Sequence, residues 1–302
     1  MLRFEGAAEL AAVVETDGTT ADVAIADWDG EVTATRTTNL GDDPVKDIAD
    51  LVRATAEDVD GRLRAICVAI PGIATDTGEL SLAPSLMSMN GKPLAELLHT
   101  ASGLPVVVDN DVNLIMVGEH AAGVAEESVT SRCYTWEAPA SAPRSCWTAK
   151  SAPVRTATPV RSGSSPTAGA FQRDEVGDFE RNWSSNGLRE RAVAAGIPVG
   201  STEAPAAVLL DRAATDPAAA QLHDDAVDAW ARAIASVVCV IDPTLVLLSG
   251  EIAAAGDRGI APLQDRLQRY WPKNVVLQLV VGMDAMRLGA VRRAFAVVDA
   301  GH

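Results

Sequence analysis

The sequence predicts an α/β fold built from short buried strands that alternate with amphipathic helices. Three observations support it: strand-length apolar runs bounded by Gly, Pro or Asp, helix-length segments with apolar residues three to four positions apart, and polar residues directly after the strands. Strands and helices that alternate at this length are typical of parallel α/β units. A chain of 302 residues also has room for two lobes with a core each.

Each predicted element follows from its local pattern. Buried apolar runs predict strands at residues 10–15, 21–26, 31–37, 63–70, 106–108, 245–248 and 275–281. Helical apolar spacing predicts helices at residues 44–59, 184–195, 204–215, 218–240 and 284–298, with further helices that end near 102 and 270 and one that follows 106–108. Tight turns are predicted at 16–20, at Asp29-Gly30 and at Pro71-Gly72.

The stretch 105–123 carries the most informative strand end. A β-branched run at 106–108 is followed by Asp109, Asn110 and Asp111, and then by a helical pattern. Parallel strands bring their carboxyl ends to the sheet edge where α/β folds bind ligands. An Asp at that edge can accept a proton from a substrate hydroxyl. The structural alternative is that Asp109 and Asn110 turn the chain while Asp111 caps the helix.

Two of the predicted turns are candidate ligand contacts. The turn between the first two strands is rich in Gly, Thr and backbone N–H groups, which can hold phosphate oxygens. Gly72 lets backbone come close to a ligand. The structural alternative, which a turn this short favours at 16–20, is an ordinary hairpin turn, and Gly72 can likewise simply make its turn.

Composition narrows the class of function. A net charge of −16 and a pI near 4.6 argue against binding of nucleic acid or anionic membranes by this chain. The four cysteines form no CxxC pair, which indicates a reducing compartment without structural zinc. The sequence shows no signal peptide and no membrane-spanning run, so we expect a cytoplasmic protein.

The segment 131–167 differs from the rest of the chain. It has five basic residues against one acidic residue, and it holds five of the 16 prolines. It shows no helix or strand pattern, so we expect no regular structure between about 131 and 170. One interpretation is a disordered insertion. The favoured one is translation from a shifted reading frame, since GC-rich codons for 136–143 give a glycine-rich loop in another frame.

Five segments are informative when they are taken together: VAIPGIATDTGEL (68–80), APSL with NGKPL (83–94), PVVVDNDVNLIMVGE (105–119), DPTLVLLSGEIAAAG (242–256) and DAMRLGAVRRAF (284–295). In their order and spacing they resemble the ROK family of bacterial sugar kinases and sugar-responsive transcriptional repressors. The resemblance implies the actin-like ATPase fold, in which two RNase-H-like lobes flank a cleft. It places the first lobe at 1–117, with the helix 284–302 packing back on it, and the second at 118–283, disrupted at 131–172.

The resemblance also implies site residues. A sugar would meet Gly72, Ser85, Asn110 and Asp111, and Asp111 would be the general base of an active kinase. ATP, with Mg²⁺ in an active kinase, would meet Gly18, Thr19, Thr20 and Gly250.

Several positions depart from the family pattern. Family kinases carry Asp-x-Gly-Gly-Thr-Lys at the first turn, whereas this chain has Asp17 in place of a Gly and Thr20 in place of the Lys. An acidic residue there would repel a triphosphate. Glu251 replaces a Gly expected near the nucleotide, and Ser85 replaces a sugar-contacting Asn. The family's zinc-binding cysteine cluster is absent, so no zinc is expected.

These departures favour a catalytically inactive, sugar-sensing module of a ROK-type transcriptional repressor. DNA contact would then need a helix-turn-helix before Met1, and the opening MLRFEGAAEL resembles the link that follows one. The alternative is an ATP-dependent hexose kinase with divergent phosphate loops, and a third hypothesis is a degenerate product without function. Family members are often dimers or tetramers, so a homodimer is compatible with either active form.

Overall fold

A computed structural model describes residues 9–75, 77–82, 86, 89–122, 134–137, 146–149, 159–160, 178–241, 243, 245–272, 275–280 and 283–300. The chain divides into two compact units, one formed by 1–126 with 281–302 and the other by 127–280. Each unit contains one five-stranded sheet.

The strands and helices follow the predicted alternation. The strands are β1 (Glu9–Thr16), β2 (Thr20–Ala26), β3 (Val32–Asn39), β4 (Arg62–Ile70), β5 (Ile73–Ala74), β6 (Leu80–Leu82), β7 (Val106–Asn110), β8 (Tyr134–Glu137), β9 (Cys146–Ala149), β10 (Pro159–Val160), β11 (Leu245–Leu248) and β12 (Val276–Leu279). The helices are α1 (Pro44–Ala56), α2 (Leu94–Ser102), α3 (Asp111–Ala122), α4 (Asp178–Trp183), α5 (Ser185–Ala194), α6 (Pro205–Arg212), α7 (Pro217–Ile241), α8 (Asp257–Tyr270) and α9 (Met283–Ala300). The strongest patterns are confirmed within a few residues, whereas α4, β5 and β6 were not predicted.

In the first sheet, three parallel strands end at the same edge. Its strand order is β3-β2-β1-β4-β7, and β1, β4 and β7 run parallel. In the register, Glu15 lies beside Ala69, Ala69 lies beside Asp109, and Ile70 lies beside Asn110. The carboxyl ends of these strands therefore coincide, as the parallel-sheet argument predicts.

The second sheet repeats this plan. Its order is β10-β9-β8-β11-β12, with antiparallel pairing from β10 to β8 and parallel pairing from β8 to β12. The first sheet has the same succession of antiparallel and parallel pairs. The two units thus share one sheet topology.

The expectation of no regular structure between 131 and 170 is wrong for the ten residues of β8, β9 and β10. Aromatic and β-branched residues, which favour strands, fill most of β8 and β9. Runs of two to four residues are too short to show an alternating pattern in sequence. The backbone pairing counts against the shifted-frame interpretation, and the rest of this segment lies outside the described residues.

Helices α3 and α9 of the first unit approach backbone to backbone. A Cβ atom on Gly118 would lie 1.8 Å from the carbonyl oxygen of Ala285. A Cβ atom on Gly289 would lie 1.8 Å from the carbonyl oxygen of Leu114. Glycine is therefore required at both positions, because any side chain would push the helices apart.

We expect Gly118→Ala and Gly289→Ala each to lower the free energy of unfolding by about 3 kcal/mol or more, since rigid backbone must move to admit the methyl group. Urea unfolding followed by circular dichroism measures the change. Gly41→Ala is the matched control, because its Cβ would meet only the end of the flexible Asp47 side chain, at 3.3 Å. Equal stability of Gly118→Ala and Gly41→Ala would contradict the packing described.

Candidate functional site

The polar residues Asp109, Asn110 and Asp111 lie at the junction where β7 ends and α3 begins. The Asn110 side-chain oxygen accepts hydrogen bonds from the backbone N–H groups of Val112, at 3.0 Å, and Asn113, at 3.3 Å. Asn110 is therefore the cap of α3. Asp111 is the first helical residue, and its half-buried carboxylate accepts from the Val112 N–H at 2.9 Å. The structural alternative thus placed the cap one residue too late.

Asn110 also joins this junction to the neighbouring turn. Its side-chain amide donates to the carbonyl oxygens of Gly72, at 2.8 Å, and Ile70, at 3.4 Å. Gly72, Asn110 and Asp111, three of the predicted sugar-binding residues, are therefore brought together at one sheet edge. The fourth, Ser85, lies outside the described residues.

Asp109 is the buried centre of the junction, and the site prediction omitted it. One carboxylate oxygen accepts from the Asn113 side-chain amide at 2.8 Å. The other accepts from the guanidinium of Arg293 on α9, at 3.0 Å from Nε and 2.7 Å from Nη2. Only 8% of Asp109 is exposed, so this charge depends on its partners. No local sequence signal indicates the partnership, because Arg293 lies 184 residues further along the chain.

In the first turn, predicted to face ATP phosphates, the hydrogen-bond donors are bonded to an acidic side chain of the turn itself. One carboxylate oxygen of Asp17 accepts from the backbone N–H groups of Thr19 and Thr20, both at 2.8 Å, and from both hydroxyls. The Gly18 N–H donates to the Thr16 hydroxyl at 3.1 Å. Burial raises the pKa of Asp17, but the hydrogen bonds from Thr20 and Thr19 outweigh it, so the net shift is downward. A carboxylate of the chain thus occupies the donors that a phosphate would need.

A second buried carboxylate follows β11 in the other unit. Gly250, the predicted adenosine neighbour, is exposed and begins a 3-10 helix, Gly250–Ile252. The next residue, Glu251, is buried and accepts hydrogen bonds from the Ser185 hydroxyl and from the Ala206 N–H. Ala206 lies in the first turn of α6, whose cap position, Ala204, has no side-chain acceptor. Glu251, which is distant in sequence, therefore provides the carboxylate that caps the N-terminus of α6.

Burial raises the pKa of Glu251 above its usual value, and the hydrogen bonds from Ala206 and Ser185 and the charge of Arg189 offset part of the rise. Since the folded pKa exceeds the unfolded one, this group stabilises the fold fully below the unfolded pKa. That contribution is lost as the pH rises through the folded pKa.

Within the described residues, no group of three His, Cys, Asp or Glu side chains is arranged to hold a metal ion. None of the helices traced there combines the length and the apolar character needed to cross a membrane.

As the pH rises above the usual pKa of a glutamate, the unsubstituted protein should lose stability through ionisation of Glu251. Glu251→Gln should lose less over the same rise, because an amide keeps the Ala206 contact without ionising. Glu251→Ala should lose about 1–3 kcal/mol over the whole pH range, since it leaves two buried donors unsatisfied. Urea unfolding at several pH values measures both. Glu190→Gln, at an exposed position on α5, is the charge-matched control. Parallel pH profiles for Glu251→Gln and the unsubstituted protein would contradict the assignment.

Comparison with known proteins extends these observations. The model of the ROK family matches residues 11–136. No curated protein sequence matches the chain. Among solved structures, a ROK family glucokinase from Streptomyces griseus in complex with glucose and AMPPNP is similar with a TM-score of 0.72 and 19% identity, over 95% of this chain and 99% of that one.

Two further structures represent both branches of the family. The ROK hexokinase from Thermus thermophilus has a TM-score of 0.72 and 20% identity, over 97% of this chain and 100% of the hexokinase. A ROK family transcriptional regulator, a homologue of the E. coli MLC protein, has a TM-score of 0.76 and 19% identity, over 97% of this chain and 80% of the regulator. At such identities the likeness establishes the fold, so the predicted actin-like ATPase fold is confirmed. The resemblance to the ROK family predicted from the sequence agrees with the family model, which matches residues 11–136.

Proposed function

We propose that this chain is the sugar-sensing module of a ROK-type transcriptional repressor and that it does not transfer phosphate from ATP. The observation that carries this proposal is the turn at Asp17. Its backbone and hydroxyl donors are already bonded to the Asp17 carboxylate. A triphosphate would have to displace that carboxylate and then tolerate its charge nearby. DNA binding would belong to a segment other than the residues described.

The proposed sugar site is the edge where β4 and β7 end. Asp111 supplies a half-buried carboxylate that can accept a hydrogen bond from a sugar hydroxyl. Asn110 uses its side-chain oxygen and amide within the protein, so its role here is to hold the Gly72 backbone beside Asp111. Ser85 remains a predicted contributor to this site.

The alternative function is an ATP-dependent sugar kinase, with Asp111 as the general base. A specific observation favours it: Asp111 lies at the carboxyl edge of the parallel strands, which is where a proton acceptor for a substrate hydroxyl belongs. The glucokinase with the same fold was solved with glucose and AMPPNP. In this alternative Gly18, Thr19 and Thr20 would turn their donors toward the phosphates, Gly250 would lie by the adenosine, and Mg²⁺ would accompany ATP.

We expect isothermal titration calorimetry to detect binding of a sugar from a panel of glucose, mannose and sucrose. Asp111→Ala should weaken that binding about tenfold or more, since a charge-assisted hydrogen bond is lost. Asp50→Ala is the control, because it removes an exposed carboxylate of α1 that pairs with Lys46 and Arg53. No binding by the unsubstituted protein, or equal binding by Asp111→Ala, would refute the proposed site.

The occupied turn generates a second test. We expect no AMPPNP binding by the unsubstituted protein and no sugar phosphate after incubation with ATP. Asp17→Gly, which removes both the charge and the internal acceptor, should gain measurable AMPPNP affinity. Asp17→Asn separates the two causes, since the amide oxygen can keep the internal bonds while the charge is lost. Sugar phosphorylation by the unsubstituted protein would decide in favour of the kinase.

A further inference from the structure

Helix α9 runs antiparallel to α3 and reaches the sugar site at its far end. Three contacts, four residues apart along α9, mark the alignment: Ala285 with Gly118, Gly289 with Leu114, and Arg293 with Asp109. The first two are backbone contacts that leave no space for a Cβ atom on either glycine. Arg293 therefore reaches Asp109 from a helix whose register is set by close packing.

Asp109, the partner of Arg293, is also hydrogen-bonded to two residues at the start of α3. The carboxylate oxygen that does not meet Arg293 accepts from the backbone N–H of Asn110, at 2.8 Å, and from the side chain of Asn113, at 2.8 Å. Asp111 lies between these two residues in the chain. Asp109 therefore bonds the residue directly before Asp111, through its backbone, and a residue two positions after it, through its side chain. Asp109 is itself bonded to Arg293.

We propose that Asp109 and Arg293 are positioning residues for the sugar site. We further propose that they couple sugar binding to the packing of α9 against α3, so that each stabilises the other. The inference rests on the proposed function, because it assigns a regulated ligand to the same sheet edge. Coupling between two equilibria is reciprocal. If Arg293 strengthens sugar binding through Asp111, bound sugar holds α9 in place by the same factor.

A thermodynamic cycle tests the coupling. Affinities for glucose, mannose and sucrose are measured by calorimetry for the unsubstituted protein, Arg293→Met, Asp111→Asn and the double variant. We expect Arg293→Met to weaken sugar binding about fivefold to tenfold in the unsubstituted background. In the Asp111→Asn background it should add less than about twofold, because the route through Asp111 is already lost. A role confined to stability would weaken binding by the same factor in both backgrounds.

Neighbouring variants separate positioning from loss of fold. Arg292→Gln is the matched control, since Arg292 lies on the same helix and stacks on Trp28, with 3.9 Å from its guanidinium carbon to the ring centre. We expect it to lower the melting temperature without changing sugar affinity. Arg293→Lys keeps the charge but not the two guanidinium donors, so it should recover only part of the affinity lost in Arg293→Met.

Hydrogen exchange tests the reciprocal effect, namely that bound sugar stabilises α9. Sugar should slow exchange of the amides of α9 in the unsubstituted protein and leave them unchanged in Arg293→Met. Equal sugar affinity of Arg293→Met and the unsubstituted protein would overturn the coupling alone. Failure of the unsubstituted protein to bind any of the three sugars would overturn the proposed function and the coupling together.

Discussion

The direct backbone contact between α3 and α9 is the constraint on which the first unit depends. Two glycines, Gly118 and Gly289, let the helices meet without intervening side chains. That approach sets how far α9 extends along α3, and it places Arg293 at the buried carboxylate of Asp109. A residue near the end of the chain thus bonds to the edge of the first sheet, whose strands lie between residues 9 and 110. Such long-range closure is entropically expensive, so it needs contacts as specific as these.

Three acidic side chains are satisfied by donors of the protein itself. Asp109 meets a guanidinium and two amides, Asp17 meets the N–H groups of its own turn, and Glu251 caps a helix from a neighbouring segment. A buried or half-buried carboxylate requires such partners, because its desolvation is otherwise costly. At Asp17 these bonds also carry the proposal that the turn does not bind phosphate. The donors that a kinase turn would offer to phosphate are used to stabilise the turn.

Local patterns in the sequence predicted most of the fold, because runs such as 63–70 carry both a strand preference and clear turn signals at their ends. The order of segments predicted the resemblance to the ROK family, and with it the closeness of Gly72 and Asn110. Arg293 could not be predicted in the same way, since its pairing with Asp109 depends on how distant elements pack. Strands β8 and β9 were missed because four residues do not show a period. The bonding of Asp17 to its own turn could have been anticipated, since an Asp side chain commonly accepts from backbone N–H groups two and three residues later.

A sensor and a kinase place different demands on the same sheet edge. A kinase needs phosphate donors that are free to meet ATP, and a closed internal turn works against that need. A sensor needs an element whose free energy depends on whether the ligand is bound, since a ligand shifts an equilibrium only by its differential affinity. The coupling proposed for Arg293 and Asp109 would provide such an element at the start of α3, whereas the donors of the first turn are bonded to Asp17. The same carboxylate chemistry therefore weakens the case for catalysis and strengthens the case for sensing.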